Sequence, residues 1–174
     1  MVEIEKIQNK AQVWIETVTY TLIGITIIAI ILAIALPRIE ELKDENNLDS
    51  AKNLMEDLYL KINEVSFSPG TQRVVSISIT KGSIIFDTPQ NSIYFSSESS
   101  FKYSEPGIEI KEGNVFIRTE DTTPYKVYLK INYTSINLTL NSRKSIEQIT
   151  ASSVPYKLII QNKGDSNVDI KIGK

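Results

Sequence analysis

Two asparagines stand in the Asn-x-Thr spacing of N-glycosylation acceptors, Asn132-Tyr133-Thr134 and Asn137-Leu138-Thr139. If Val127, Leu129, Ile131 and Tyr133 face inward on a strand, Asn132 points out. The same alternation with Ile136, Leu138 and Leu140 inward turns Asn137 outward. Asp165-Ser166-Asn167-Val168-Asp169 begins like a calcium loop, but Ile170 occupies the place where the sharp turn needs glycine. Val168, Ile170 and Ile172 alternate as a strand does, so this stretch is expected to be a hairpin turn and no metal is expected. The chain has no histidine and no cysteine. That removes the commonest general base, the commonest metal ligands and every disulfide. No nucleophile elbow, P-loop or dinucleotide turn is present, and seven glycines leave little for a phosphate cradle. No cofactor and no enzymatic activity are expected. A net charge of −2 argues against a nucleic-acid partner.

One carboxylate sits in an unusual place. Glu16 immediately precedes residues 17–36, TVTYTLIGITIIAIILAIAL, a run without a charge that Pro37-Arg38 closes. At about 1.5 Å per residue such a helix reaches roughly 30 Å, the hydrocarbon thickness of a bilayer. It is apolar on every side, so it offers water no face, and membrane lipid is its expected first partner. Lys6 and Lys10 before the run, against Glu40-Glu41-Leu42-Lys43-Asp44-Glu45 after it, favour a single pass with the N-terminus inside. The run is too long for a secretory signal, and no A-x-A-like cleavage site leads into a polar stretch.

The junction Lys10-Ala11-Gln12-Val13-Trp14-Ile15-Glu16 puts a basic and a small residue before Gln12, with the glutamate four residues later at the mouth of the span. This resembles the class III signal of archaeal type IV pilin-like proteins. The resemblance implies that a prepilin peptidase cuts between Ala11 and Gln12, removing a leader of residues 1–11 and retaining the apolar segment. It also implies Glu16 as the acidic partner of the new N-terminus. Further implied partners are copies of the chain or related pilins, a membrane platform protein and an assembly ATPase. Physics supplies a reason for the acid: a carboxylate buried in apolar surroundings is costly unless paired. The α-amine of a staggered neighbour would pair it and set register between otherwise uniform helices.

Past Pro37, expected to bend the helix, Ile39, Leu42, Leu54, Met55, Leu58, Ile62 and Val65 keep helical spacing. The helix is therefore expected over 12–65, with a break near 46–50 where Asn46-Asn47-Leu48-Asp49-Ser50 offers fresh N-caps. Its apolar stripe is expected to pack on the domain that follows. From Ser66 the texture is β-branched and aromatic, punctuated by turns such as Lys81-Gly82, Glu112-Gly113 and Asn162-Lys163-Gly164. Strands are expected at 74–80, 83–86, 92–95, 107–111, 114–119, 125–133, 136–140, 156–161 and 167–172, with 96–100 as a loop. The fold class is α+β: a long N-terminal helix, then an antiparallel β-sandwich or barrel-like domain over 66–174. Two functions fit: an assembled filament subunit, or a permanently anchored surface protein whose β domain binds a ligand.

Overall fold

The computed structural model describes residues 2–173, with side chains from Val13 onward. One helix, α1 (Val2–Ser66), is followed by ten strands. They are β1 (Gln72–Ile77), β2 (Ser83–Asp87), β3 (Ser92–Ser99), β4 (Glu109–Glu112) and β5 (Val115–Glu120). Then come β6 (Tyr125–Asn132), β7 (Asn137–Leu140), β8 (Ile146–Thr150), β9 (Tyr156–Gly164) and β10 (Asn167–Gly173). The chain divides into two compact units, one up to Glu40 and one from Glu41 onward. The second half of α1 thus belongs with the strands.

In the second unit the strands form two sheets. One has four strands in the order β1-β9-β10-β7, the other six in the order β4-β5-β6-β3-β2-β8. Among the described strands β7 and β10 pair parallel, with Leu138 opposite Val168, and the remaining pairs are antiparallel. Both sheets turn their apolar alternates into a single core. Val75, Ile77, Leu158, Ile160, Val168 and Ile170 come from the first sheet; Ile84, Phe86, Phe95, Ile117 and Leu129 come from the second. Leu48, Ala51, Met55, Leu58, Ile62 and Val65 complete it from α1. Their three-four spacing puts them on one stripe, as helical geometry requires.

Four expectations are corrected. The helix does not break at 46–50. Asn46 Nδ2 donates to the Leu42 carbonyl and Ser50 Oγ to the Asn46 carbonyl, both at 2.8 Å, so these side chains bond backward along the helix instead of capping a new one. Leu48 and Ala51, both buried, hold that turn on the core. The expected loop 96–100 continues strand β3 to Ser99, because Ser96, Ser97, Glu98 and Ser99 pair with Tyr128, Val127, Lys126 and Tyr125 of β6. Strand β8 was not expected; it forms on the edge of β2, with Ile149 opposite Ile84. Asn162-Lys163-Gly164 ends β9 rather than making the turn. That turn is Asp165-Ser166, whose φ values of 50° and 58° are those of a two-residue hairpin.

Gly82 shows why one turn must be glycine. Its φ is +90°, and an added Cβ would lie 2.5 Å from the Ser96 carbonyl oxygen.

Candidate functional site

The first unit is an apolar helix with its side chains in the open. Between Val13 and Ile39 the large apolar residues are exposed, Trp14 to 69% and Ile34 to 68%. Its threonine hydroxyls are satisfied internally. Thr17, Thr19, Thr21 and Thr26 donate their hydroxyls to the carbonyls of Val13, Ile15, Thr17 and Leu22 at 2.7–2.8 Å. A hydroxyl spent on its own backbone asks nothing of the surroundings, which is what hydrocarbon or a dry helix bundle requires. By length and composition this helix is able to cross a membrane. Glu16, exposed, stands about four turns into α1, one residue before the uncharged run begins. Ala11 and Gln12, where cleavage is expected, lie outside the residues whose side chains are described.

No family model, curated protein or solved structure matches the chain.

Both sequons face outward as their strands require. Val127, Leu129, Ile131 and Tyr133 are buried while Asn132 is exposed; Ile136, Leu138 and Leu140 are buried while Asn137 is exposed. The two sites differ in readiness. Asn132 Oδ1 accepts from Ser92 Oγ at 2.8 Å, and its Nδ2 makes no hydrogen bond among the described residues. Asn137 Nδ2 donates to Asn167 Oδ1, and Thr139 Oγ1 donates to Asp169 Oδ1 at 2.8 Å. Asp169, one of the acids of the calcium-like stretch, is fully buried and also accepts from Ser142 N at 2.6 Å and Ser142 Oγ at 3.2 Å. It closes the β7–β8 connection. Among the described residues no group of three or more acids is placed to hold a metal ion.

Polar clamps tie α1 to the strands, and periodicity could not have found them. Asp44, 8% exposed, accepts from Ser100 N at 2.7 Å, Ser100 Oγ at 2.8 Å and the Lys81 ammonium. Lys52 Nζ donates to Glu112 Oε2 at 2.8 Å and to Tyr103 Oη at 2.9 Å. The bond to Glu112, helped by Tyr103, raises the Lys52 pKa and keeps the ammonium charged. Glu56 Oε2 accepts from Asn114 N at 3.1 Å at the β4–β5 turn. Tyr133 stacks on Tyr59, ring centroids 5.5 Å apart, and burial drives its phenol pKa up.

Burial pushes the Asp44 pKa up, but the hydrogen bonds from Lys81 and Ser100 outweigh it and hold the carboxyl below its ordinary value. A depressed folded pKa contributes stability above the unfolded value of about 4, and that stability is lost as pH falls through the folded value. Asp44→Asn should therefore lower the stability of the second unit by about 1–3 kcal/mol at pH 7. The deficit should be smaller at pH 3, below the unfolded value, than at pH 7. Denaturant unfolding of both proteins at the two pH values checks this, and a pH-independent deficit would contradict it.

Proposed function

We propose that the chain is the structural subunit of a surface filament of the archaeal type IV pilin kind, assembled through its N-terminal helix. The observation that supports this most is the apolar helix of residues 13–39, exposed all round, with its threonine hydroxyls satisfied by its own backbone. Such a rod is suited to two environments, lipid and a bundle of its own copies, and moving from one to the other exposes no new polar atom. Glu16 supplies the one polar register mark at its start. A prepilin peptidase would free the α-amine of Gln12, and a platform protein and assembly ATPase would draw the helix from the membrane. The domain from Glu41 onward would then face the surroundings.

The same domain is proposed as a glycoprotein surface, with Asn132 as the occupied sequon. Transfer of a glycan needs the asparagine amide nitrogen and the threonine hydroxyl accessible together. Asn132 and Thr134 meet that condition, whereas both Asn137 and Thr139 are engaged by neighbours.

Intact mass of the protein extracted from the membrane of an archaeal host tests both statements. Loss of residues 1–11 is expected. A glycan increment that disappears in Asn132→Gln and persists in Asn137→Gln is expected beside it. An intact N-terminus would instead make the chain a permanent single-pass anchor, and the filament reading would fail.

A further inference from the structure

The outer face of the six-stranded sheet carries a pattern that neither the core nor the helix uses. Alternation on β5 and β6 buries Val115, Ile117, Val127, Leu129 and Ile131, which turns Phe116, Arg118, Lys126, Tyr128 and Lys130 outward. Register then sets Lys111 opposite Phe116, Phe116 opposite Lys130, and Lys130 opposite Tyr94. The result is a straight row across four strands, cation, ring, cation, ring, about 14 Å long at the usual strand spacing. The Lys111 ammonium lies 5.2 Å from the Phe116 centroid and the Lys130 ammonium 5.1 Å from that of Tyr94. The next row repeats the theme, with Arg118 opposite Tyr128 and the Lys126 ammonium 5.4 Å from the Tyr128 centroid.

None of these four cations is salt-bridged among the described residues. The rings, Arg118 and Lys130 line an open hollow of about 260 Å³, with Glu109 and Glu120 at its sides.

We propose that this face binds an acidic polysaccharide. The apolar C–H face of a sugar ring fits the electron-rich face of Phe116, Tyr128 or Tyr94, as other partly positive groups do. Sugar carboxylates meet Lys111 and Lys130, which have rings rather than acids opposite them in the register, and Arg118, which stands opposite Glu109 without forming an ion pair with it. The lysines sit on flexible stems, so an ammonium that swings from ring to carboxylate also clears the ring for stacking. Sugar hydroxyls give Glu109 and Glu120 the donors they lack. Those acids, with Glu98 and Glu120 flanking Lys126 across the register, disfavour a nucleic-acid strand, which brings a phosphate with every residue. A sparser line of carboxylates matches the sparser line of cations. The proposal holds whether the helix assembles or only anchors.

Titration calorimetry on the full chain, held in a zwitterionic detergent free of sugar, tests it with polygalacturonate as probe. Dextran and a thymidine oligonucleotide are run beside it. Polygalacturonate is expected to bind and the other two to bind at least tenfold more weakly. Tyr128→Ala should weaken binding tenfold or more, while Lys163→Ala on the other sheet leaves it unchanged. Arg118→Ser, at an exposed position, should weaken binding and reduce its salt dependence even if Tyr128→Ala disturbs folding. No heat with polygalacturonate, equal binding of dextran or oligonucleotide, or affinity that survives both variants would each overturn the proposal.

Discussion

Glu16→Ala is expected to stop filament formation while leaving the β domain folded. The two halves of that expectation come from different units. Among the described residues the core begins at Leu48, inside the second unit, so the thermal transition of that unit should stay where it is. In the proposed filament the Gln12 α-amine of each subunit meets Glu16 of a neighbour inside a bundle that excludes water. Removing the acid leaves that amine charged, desolvated and unmatched at every contact. Breaking one side of a buried ion pair is among the costlier single changes in proteins, and here it weakens each contact by a factor of about a hundred or more. A polymer multiplies that penalty along its length. Glu16→Gln keeps the shape and loses the charge, so it should fail nearly as badly. Electron microscopy of cells carrying either variant reads the outcome. Normal filaments from Glu16→Ala would remove Glu16 from assembly, whatever else the helix does.

Features that depend on local composition were legible in the chain, and those that depend on a distant partner were not. The span of residues 17–36 could be read because it needs only the absence of charge. Met55, Leu58, Ile62 and Val65 could be read because helical spacing alone puts them on one stripe. The same stripe misleads at its start. Ile39 and Leu42 remain 45% and 57% exposed, whereas Asp44 is buried in their stead because Lys81 and Ser100 reach it from two remote loops. No periodicity argument puts an aspartate in a core. Strand β8 carries a single fully buried residue, Ile149, too little for an alternating signal, and it exists because β2 offers it an edge. The serines of 96–99 are weak strand formers held in place by the aromatic and β-branched residues of β6. The candidate sites divide in the same way. Asn132 and Asn137 were placed outward by alternation, but their difference in readiness lies in Ser92, Asn167 and Asp169, on other strands. The row of Lys111, Phe116, Lys130 and Tyr94 was wholly invisible, since four strands must come into register before those residues are neighbours.

Asn162 is the residue whose loss should cost the second unit most for the fewest atoms changed. It is 2% exposed, and its side chain serves two elements. Nδ2 donates to the Val65 carbonyl at 3.0 Å and the Ser66 carbonyl at 2.9 Å, two of the carbonyls at the end of α1 that have no partner inside the helix. Oδ1 accepts from Gly164 N at 2.8 Å, which holds the end of β9. Its backbone fastens the intervening loop, donating to the Thr71 carbonyl at 2.9 Å and accepting from Gly70 N at 3.1 Å. Asn162→Leu keeps the branching and heavy-atom count but strands the Ser66 carbonyl and the Gly164 amide and leaves the Val65 carbonyl only its long 3.4 Å bond from Ser68 N; at about 1–3 kcal/mol for each buried polar group left unmatched, the expected loss is about 2–5 kcal/mol. That is a large share of the 5–15 kcal/mol that typically holds a domain. Asn162→Asp should be comparably damaging at pH 7, because it sets a charge against two carbonyl oxygens. Its deficit should narrow in acid, where the protonated carboxyl regains one donor and the folded state binds that proton more tightly than the unfolded chain. Chemical denaturation of the three proteins at pH 7 and pH 4 measures both effects. Equal stability of Asn162→Leu and the parent chain would mean that water satisfies the helix end and that the clamp contributes nothing.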